Sequence, residues 1–381
     1  MSMTRPATPS PIAPSRLSDV TRHGERVIFI GPFPPDIHGQ AVSTLSLYNC
    51  LVRDGLAIYK VDVNTKEGKS LSGRLRRIWK HLQAATVLLF GHRGGAYISV
   101  NANVGMWMTT ALALLGRIRG RKLFLHHHTY AHFTRKIPAA DWLFRIAGPT
   151  ANHIMICPRM GEDLAQVYSR PARILTLSNI DAVDPTLSEM SGPTREIPAS
   201  LGHLSNLTAE KGILRVIDAF RAAKSAGLAE RLVVAGPCSD DAAKHAVAAA
   251  AKEFGSAFDY RGLVRGEAKR RFFADIDVFL FPSLYPNETE GIVTLEALAA
   301  GKPAIAHGLC CIPRILNDPS CCVVPPAAPF TPALLEFLAA VRANWPLFAT
   351  GAKARFEALR KESQEEYTEL LIELRGGSAA T

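Results

Sequence analysis

The chain has 381 residues, of which 48% are hydrophobic and 20% charged, and its formal net charge is +10. This composition is typical of a globular protein, excludes a low-complexity chain, and leaves room for two domains. The charge is uneven, because residues 1–190 hold 23 Lys and Arg against 12 Asp and Glu, whereas residues 191–381 have a net charge of −1.

The amino-terminal residues 1–24 are rich in Pro, Ser, Thr and Arg and lack the apolar core of a signal peptide, which predicts a disordered tail. The uncharged stretch between Arg93 and Arg117 contains Asn101 and Asn103, so we interpret it as a strand and a buried helix rather than a membrane span. We therefore expect a soluble, cytoplasmic chain.

The chain has seven cysteines, which include the adjacent pairs Cys310-Cys311 and Cys321-Cys322. Neither pair has the C-x-x-C spacing of a metal site, and a chain without a secretion signal is expected to keep its thiols reduced. A metal site on vicinal thiols is the alternative.

Strand and helix patterns alternate along the chain, which predicts parallel sheets covered by helices. The predicted strands of the first half are 26–31, 57–63, 95–100, 122–128, 153–157 and 173–178, and those of the second are 199–205, 231–236, 258–264, 277–281 and 303–306. The segment 179–198 has turn residues and little periodicity, and 357–375 has the pattern of an amphipathic helix. We predict a tail (1–24), a Rossmann-like domain (25–190) and a second Rossmann-like domain with a carboxyl-terminal helix (191–381), with a ligand cleft between the two domains.

The densest basic run, 66–82, interleaves Arg74, Arg76, Arg77 and Lys80 with leucines, Ile78 and Trp79. Such a stretch can lie on an anionic membrane. The interpretation that we favour slightly is a helix that packs its apolar face on its own domain. Nucleic acid is not an expected partner, because no aromatic platform or zinc module accompanies the charge.

Two loops precede helices at the ends of predicted strands. In the first, "GPFPPDIHGQ", Gly39 lets the backbone approach a phosphate or sugar, but Phe33 stands where a dinucleotide fingerprint requires glycine. In the second, "LSNLTAEKG", Lys211 lies just before a helix and can neutralise a diphosphate, although an ordinary surface lysine has the same pattern.

The segment "PNETEGIVTLEALAAGKPAIA" (286–306) predicts a loop, a helix and a strand. Glu288 falls in the loop and Glu296 inside the helix, while the amides of Gly291, Ile292 and Val293 at the helix start attract anionic or hydroxyl oxygens. Together these groups indicate a polar pocket at the carboxyl edge of a sheet. The alternative is an acidic helix start that is stabilised by the helix dipole.

From about residue 26 to about 345, the chain resembles the retaining glycosyltransferases of family 4, which have the two-Rossmann GT-B fold. The most specific resemblance is the E-x7-E signature, which "ETEGIVTLE" matches in spacing. The resemblance implies that Glu288 holds hydroxyls of a donor sugar, that Glu296 holds the nucleotide ribose, and that Lys211 stabilises the leaving diphosphate. It also implies that Gly39 lets the first loop approach the diphosphate.

Two positions depart from the family pattern. Asn206 stands where many members have an arginine five positions before the phosphate lysine, so one positive charge is missing or comes from elsewhere. Arg314 stands where the family often has a glutamate.

The run "HHHTYAH" (126–132) follows a predicted strand. The resemblance implies a histidine near the donor sugar, for which His128 is the best match and His127 the alternative. Because consecutive strand residues face opposite ways, only alternate histidines point together, and a zinc site would lack a further ligand.

The resemblance implies a metal-independent retaining hexosyltransferase of polysaccharide or glycolipid assembly that needs no cofactor. The expected partners are a UDP- or GDP-type nucleotide sugar, an acceptor glycan or lipid-linked sugar, and an anionic membrane surface at the inner face, which the basic first domain would contact. The alternatives are a non-catalytic nucleotide-sugar-binding protein and a sugar-nucleotide epimerase.

Overall fold

The structure, a computed structural model, describes residues 26–34, 39–64, 71–102, 104–170, 172–190 and 197–376. The predicted tail, 1–24, lies outside the described residues, as do 35–38 of the first loop and 66–70 of the basic run.

The first half forms a six-stranded parallel sheet in the order β2-β1-β3-β4-β5-β6. β1, β3 and β4 are buried along their whole length, as expected for apolar strands covered by helices on both faces. The strands are β1 (Val27–Gly31), β2 (Ile58–Asp62), β3 (Ala96–Val100), β4 (Leu123–His127), β5 (Asn152–Met155) and β6 (Arg173–Thr176). The helices are α1 (Gly39–Arg53), α2 (Leu71–Phe90), α3 (Gly105–Ile118), α4 (Ala131–Thr134), α5 (Pro138–Ala147) and α6 (Pro158–Tyr168).

The second half forms another six-stranded parallel sheet, in the order β12-β11-β10-β7-β8-β9. Its strands are β7 (Ser200–Leu204), β8 (Arg231–Ala235), β9 (Phe258–Tyr260), β10 (Val278–Phe281), β11 (Ala304–His307) and β12 (Cys322–Val324). Its helices are α7 (Ile213–Ser225), α8 (Asp241–Phe254), α9 (Glu267–Asp275), α10 (Ile292–Ala299), α11 (Ile312–Ile315), α12 (Phe330–Ala343) and α13 (Trp345–Leu374). The predicted α/β class with two parallel sheets is confirmed, and β12 is a strand that the sequence patterns did not indicate.

The order of the second sheet reverses between β7 and β10, which are hydrogen-bonded neighbours although three helices and two strands separate them in sequence. At such a switch point the loops after the two strands leave in opposite directions and open a crevice at the carboxyl edge. The loop after β7 carries Lys211, and the loop after β10 carries Glu288.

The two halves meet through loops at the carboxyl edges of both sheets and through α13. Ser178, after β6, donates to the Glu290 carboxylate, after β10, at 2.5 Å. The end of α13 packs on the first sheet, where Leu370 and Leu374 join the core of Val27 and Phe29. Arg173 of β6 pairs with Glu373 of α13 at 3.2 Å.

The favoured interpretation of the basic run is wrong. The large apolar side chains of the basic run do not pack on the domain: Leu71 is 74% exposed, Leu75 60% and Trp79 61%, with Ile78 and Leu82 also exposed. The helix buries Gly73, Ala84 and Leu88 instead. The periodicity gave the helix correctly but could not show which side the domain covers.

Candidate functional site

Glu288 lies in the loop between β10 and α10, and its side chain is almost buried, with 8% of the residue exposed. Its Oε2 accepts a hydrogen bond from Lys211 Nζ at 3.0 Å and another from Ser283 Oγ at 3.2 Å. The Glu288 N–H donates a hydrogen bond to the Tyr285 carbonyl at 2.9 Å, and this turn of the loop holds the carboxylate in place. The structure thus joins two residues that are 77 positions apart in sequence.

Lys211 directly precedes Gly212, the N-cap of α7. Gly212 has φ +93°, and a Cβ there would lie 2.4 Å from the Pro282 carbonyl oxygen, so the chain can turn this close to the β10 loop only with glycine. The ammonium of Lys211 also lies 5.0 Å from the centre of the Tyr285 ring, within reach of a cation–π contact. The tight turn therefore places the positive charge at the switch point.

Helix α10 starts at Ile292, with Gly291 as its N-cap at φ +58°. A Cβ on Gly291 would lie 2.9 Å from the buried Phe281 ring, which explains the glycine between the two glutamates. Helix geometry leaves the first-turn amides, including those of Ile292 and Val293, without intrahelical acceptors. Ile292 and Val293 lie four and five positions after Glu288, and their amides suit a ligand oxygen.

Glu296 lies inside α10 and is 3% exposed. Its Oε1 accepts from Lys269 Nζ of α9 at 2.6 Å, whereas its Oε2 is buried and has no hydrogen-bond partner among the described residues. Burial raises the pKa of the Glu296 carboxyl above its ordinary value, and the nearby Lys269 charge opposes that shift. Since a buried oxygen without a partner costs free energy, Oε2 is suited to accept from a ligand hydroxyl.

Gly39 begins α1, and a Cβ there would have no atom within 4 Å. The next residue, Gln40, donates to Ser99 Oγ at 2.9 Å and to the Val100 carbonyl at 3.2 Å. Gly39 therefore lies at the carboxyl edge of β1 and β3, where the order of the first sheet reverses.

The histidines divide between two faces of β4, as the alternation of a strand requires. His126 and His128 contact each other with ring centroids 4.0 Å apart and ring planes inclined by 40°, and His128 is half-buried just beyond the strand. His127 is fully buried, with Nδ1 3.2 Å from His132 Nε2 and Nε2 3.0 Å from His153 Nδ1. Burial lowers the pKa of His132 to about 3 and that of His153 to about 4, so this interior chain is neutral near pH 7.

The two departures from the family pattern have different surroundings. Asn206 is exposed just after β7. Arg314 of α11 pairs with Glu362 at 3.0 Å and with Glu366 at 2.7 Å, both on α13, so its charge is used to hold that helix. Arg215, in the first turn of α7, is a further positive charge near the switch point, 3.5 Å from the Pro282 carbonyl.

Glu290 was not predicted as a site residue. It is 3% exposed and accepts from Ser178 Oγ at 2.5 Å and from Asn179 N–H at 2.7 Å, so it joins the loop after β10 to the loop after β6. Burial raises the pKa of Glu290 to about 7, and the two hydrogen bonds oppose the shift. Its position between Glu288 and Glu296 was visible in the sequence, but its partner in the other half was not.

The expectation that all cysteines are reduced thiols is wrong for two of them. Cys157 and Cys311 form a disulfide across a sequence separation of 154 residues. With Cys310, they also form the one group within the described ranges whose ligand atoms are close enough for a metal ion. Neither the spacing nor the sequence context of these cysteines predicts that they lie together.

In the part of the chain that the structure describes, no helix is both long and apolar enough to cross a membrane. The stretch after Arg93 forms β3 and α3, as the sequence indicated.

Comparison with known proteins gives one family model that matches part of the chain and one fold that matches nearly all of it. Residues 198–340 match the family model described as "Glycosyl transferases group 1". A curated relative, the GDP-mannose-dependent alpha-(1-6)-phosphatidylinositol dimannoside mannosyltransferase of Mycobacterium tuberculosis, is 34% identical over 121 residues. That alignment covers 32% of this chain and spans 30% of the relative's length.

Solved structures match over almost the whole chain at low identity. Sucrose-phosphate synthase from Thermosynechococcus elongatus superposes with a TM-score of 0.69 at 14% identity, covering 93% of this chain and 100% of that one. Anabaena Alr3699/HepE in complex with UDP superposes with a TM-score of 0.67 at 14% identity, covering 92% of this chain and 100% of that one. WaaG, a glycosyltransferase involved in lipopolysaccharide biosynthesis, superposes with a TM-score of 0.63 at 16% identity, covering 92% of this chain and 100% of that one.

The fold is of the GT-B type. The matched segment 198–340 contains every predicted site residue of the second half. The predicted residues of the first half, Gly39 and His128, lie outside that segment.

Proposed function

We propose that this GT-B protein is a metal-independent, retaining hexosyltransferase, of the kind found in family 4, that moves a sugar from a nucleotide-diphospho-sugar to an acceptor hydroxyl. The observation that carries the proposal is the 3.0 Å contact between Lys211 and Glu288 at the switch point of the second sheet. In this scheme the Lys211 ammonium serves the leaving group and the Glu288 carboxylate serves the sugar, and both residues lie within the segment that matches the glycosyltransferase family model.

Departure of the nucleoside diphosphate develops negative charge on its terminal phosphate. Lys211 is the group that stabilises this charge, and the first-turn amides of α10 add hydrogen-bond donors without a metal ion. The lysine charge is balanced by Glu288 before the donor binds. The chemistry therefore requires Lys211 to exchange part of its contact with Glu288 for the diphosphate.

Glu288 acts as a positioning group in this scheme. Its Oε2 already accepts from Lys211 and Ser283, which leaves Oε1 to accept from hydroxyls of the donor sugar. No covalent nucleophile is required when the acceptor attacks the sugar from the same face from which the leaving group departs. Orientation of the sugar then supplies much of the rate enhancement.

Glu296 binds the ribose of the nucleotide in this scheme. Lys269 holds one carboxylate oxygen, and the other, buried and without a partner among the described residues, accepts from a ribose hydroxyl. In the first half, His128 lies near the donor sugar, and Gly39 allows α1 to approach the diphosphate.

The proposed donor is a UDP- or GDP-sugar. A structural neighbour was solved with UDP-glucose, and the mycobacterial relative is named for its dependence on GDP-mannose. The exposed Asn206 favours a second candidate, a non-catalytic nucleotide-sugar-binding protein, because it leaves the leaving group without the second cation that the family pattern supplies.

A donor panel tests these candidates. The protein is incubated with UDP-, GDP-, ADP- and dTDP-sugars, with and without a membrane extract as the source of acceptor, and nucleotide release and thermal shift are followed. Release of one nucleotide supports the transferase and identifies its donor class. A thermal shift without release supports the non-catalytic candidate, and conversion of the nucleotide sugar in the absence of acceptor supports an epimerase.

We further propose that the acceptor is a glycan or lipid-linked sugar of polysaccharide or glycolipid assembly and that the protein works at the inner face of a membrane. Helix α2 carries a stripe of exposed apolar side chains, Leu71, Leu75, Ile78, Trp79 and Leu82. Arg74 and Arg76 on the same helix are exposed beside it. An apolar stripe with flanking positive charge is complementary to the headgroup region of an anionic bilayer.

A further inference from the structure

Three cysteines from the two halves of the chain lie together. Cys157 is the N-cap of α6 in the first half, and Cys310 and Cys311 directly precede α11 in the second. All three are buried, with 1%, 3% and 1% exposed, and Cys310 and Cys311 pack into the apolar core of the first half. The cluster thus lies at the contact between the two halves.

The bonded pair is Cys157 and Cys311, whose Cα atoms are 5.8 Å apart, within the range of ordinary disulfides. Cys310 Sγ lies 3.4 Å from Cys311 Sγ but belongs to the adjacent residue. Adjacent Cα atoms across a trans peptide are about 3.8 Å apart, which is too short for an ordinary disulfide. The backbone therefore selects Cys157 as the partner of Cys311 and leaves Cys310 as a thiol.

The disulfide crosses between the carboxyl edges of the two sheets. Cys157 follows β5, and Cys311 follows β11. The Cys311 N–H donates to the carbonyl of Thr289 at 3.1 Å, and Thr289 stands between Glu288 and Glu290. The bond is consequently attached, through one hydrogen bond, to the loop that carries the candidate site.

We propose that the Cys157–Cys311 disulfide is a redox-controlled tether that holds the two halves of the protein in the closed arrangement. The hydrogen bonds of Glu290 across the same edge are non-covalent and can exchange with water, whereas the disulfide is covalent and requires a reductant to break. Oxidation therefore keeps the crevice closed, and reduction allows it to open. Nothing in this inference requires that the protein transfer sugars.

The redox partner is a low-molecular-weight thiol of the glutathione class. In reduction, one thiolate attacks a sulfur of the disulfide to give a mixed disulfide and a cysteine thiolate, which takes up a proton. A second thiolate then displaces the second cysteine, so two thiols are oxidised to one small disulfide and two cysteines are formed. Oxidation by the small disulfide is the reverse. Since both sulfurs are buried, the first attack requires a local, transient displacement of the loop residues around the bond while the two halves are still tethered.

The test uses the full chain, equilibrated with oxidised or reduced glutathione and then blocked with iodoacetamide. Non-reducing peptide mapping locates the disulfide, and small-angle scattering measures the radius of gyration. We expect a Cys157–Cys311 cross-linked peptide in the oxidised sample and a larger radius of gyration in the reduced sample of the same wild-type chain. This comparison needs no variant, so it does not depend on how well a substituted chain folds.

Single substitutions separate the tether from a metal site. Cys157→Ser and Cys311→Ser should lose the cross-link and scatter like the reduced wild type in both buffers, while Cys310→Ser should behave like the wild type. The tether is overturned if oxidised glutathione yields no Cys157–Cys311 peptide, or if the cross-link leaves the radius of gyration unchanged. It is also overturned if the reduced protein binds Zn²⁺ tightly with equal dependence on all three cysteines, since the cluster would then be a thiolate metal site.

Discussion

Lys211 Nζ lies 3.0 Å from Glu288 Oε2, and this ion pair joins the loops that follow two neighbouring strands of the second sheet. The Lys211 side chain is 23% exposed and that of Glu288 10%, so the pair lies at the wall of a crevice rather than in open solvent. A charge in such a position interacts more strongly with a ligand than one on the surface.

Loss of the Lys211 ammonium should reduce turnover more than binding. Lys211→Ala is expected to lower kcat by about 10²- to 10³-fold, because the charge acts on the leaving diphosphate as it develops. Lys211→Arg should recover part of that loss. Steady-state kinetics with the donor identified by the panel measure both, and Lys244→Ala, which removes an exposed lysine paired with Asp241, is the matched control. Equal kcat values for Lys211→Ala and the control would show that the lysine has no role in the reaction.

The Lys269–Glu296 pair gives a stability prediction. Lys269→Met should destabilise the protein by about 3 kcal/mol, because it leaves the Glu296 carboxylate buried without its cation. Adding Glu296→Gln should restore much of that stability, since the remaining group is neutral. Urea unfolding of the single and double variants measures the effect. As a control, Arg271→Met removes the exposed partner of Glu267 and should change stability little. The explanation fails if the double variant is no more stable than Lys269→Met.

Glu290 should make stability depend on pH. The pKa of Glu290 is raised from 4.5 to about 7 in the folded protein. Between these two pH values the folded chain keeps a proton that the unfolded chain has released. A pKa shift of this size corresponds to about 3 kcal/mol of the free energy of unfolding. The contribution is fully present below pH 4.5 and is lost as the pH rises to 7. The facing groups are Ser178, Asn179 and the more distant Glu366.

The measurement compares the free energy of unfolding of the wild type and Glu290→Gln at several pH values. The wild type should lose stability relative to the variant between pH 4.5 and 7, and the difference should be constant above that range. A difference that does not change with pH would place the folded-state pKa near its ordinary value.

Membrane binding should depend on both the exposed apolar side chains and the basic side chains of α2. Wild type is expected to sediment with vesicles that contain anionic phosphatidylglycerol and to bind much less to neutral phosphatidylcholine vesicles. Leu75→Glu with Trp79→Glu should abolish binding, and Arg74→Glu with Arg76→Glu should weaken it in a salt-dependent manner. Arg342→Glu with Lys224→Glu, on the second half, serves as a control of equal charge change. Equal binding to neutral vesicles, or no binding to either, would exclude this surface as a membrane contact.

The sequence was sufficient where short-range patterns determine the structure. Each of the eleven strands predicted from apolar runs corresponds to one of β1 to β11, and Glu288 and Glu296 lie in the loop and the helix as the local pattern indicated. The three-residue β12 was missed because its run, Cys322–Val324, is too short to show a period.

The remainder depends on contacts between distant parts of the chain. The disulfide joins residues 154 positions apart, and Glu290 reaches Ser178 over 112 positions, so no local pattern could indicate either. The exposure of the apolar stripe on α2 could not be predicted for the same reason. The period of a helix defines its two faces but does not show which face the rest of the domain covers.

The most direct test of the account is nucleotide release by wild type, Glu288→Gln and Glu210→Gln with the donor and acceptor that the panel identifies. Glu210 is an exposed carboxylate next to Lys211, so it controls for a change of charge at the same edge. We expect Glu210→Gln to match the wild type and Glu288→Gln to be slower by about 10²-fold, because the donor sugar is no longer held in position. Glu288→Gln that releases nucleotide as fast as the control would contradict the assignment of this loop as the donor site.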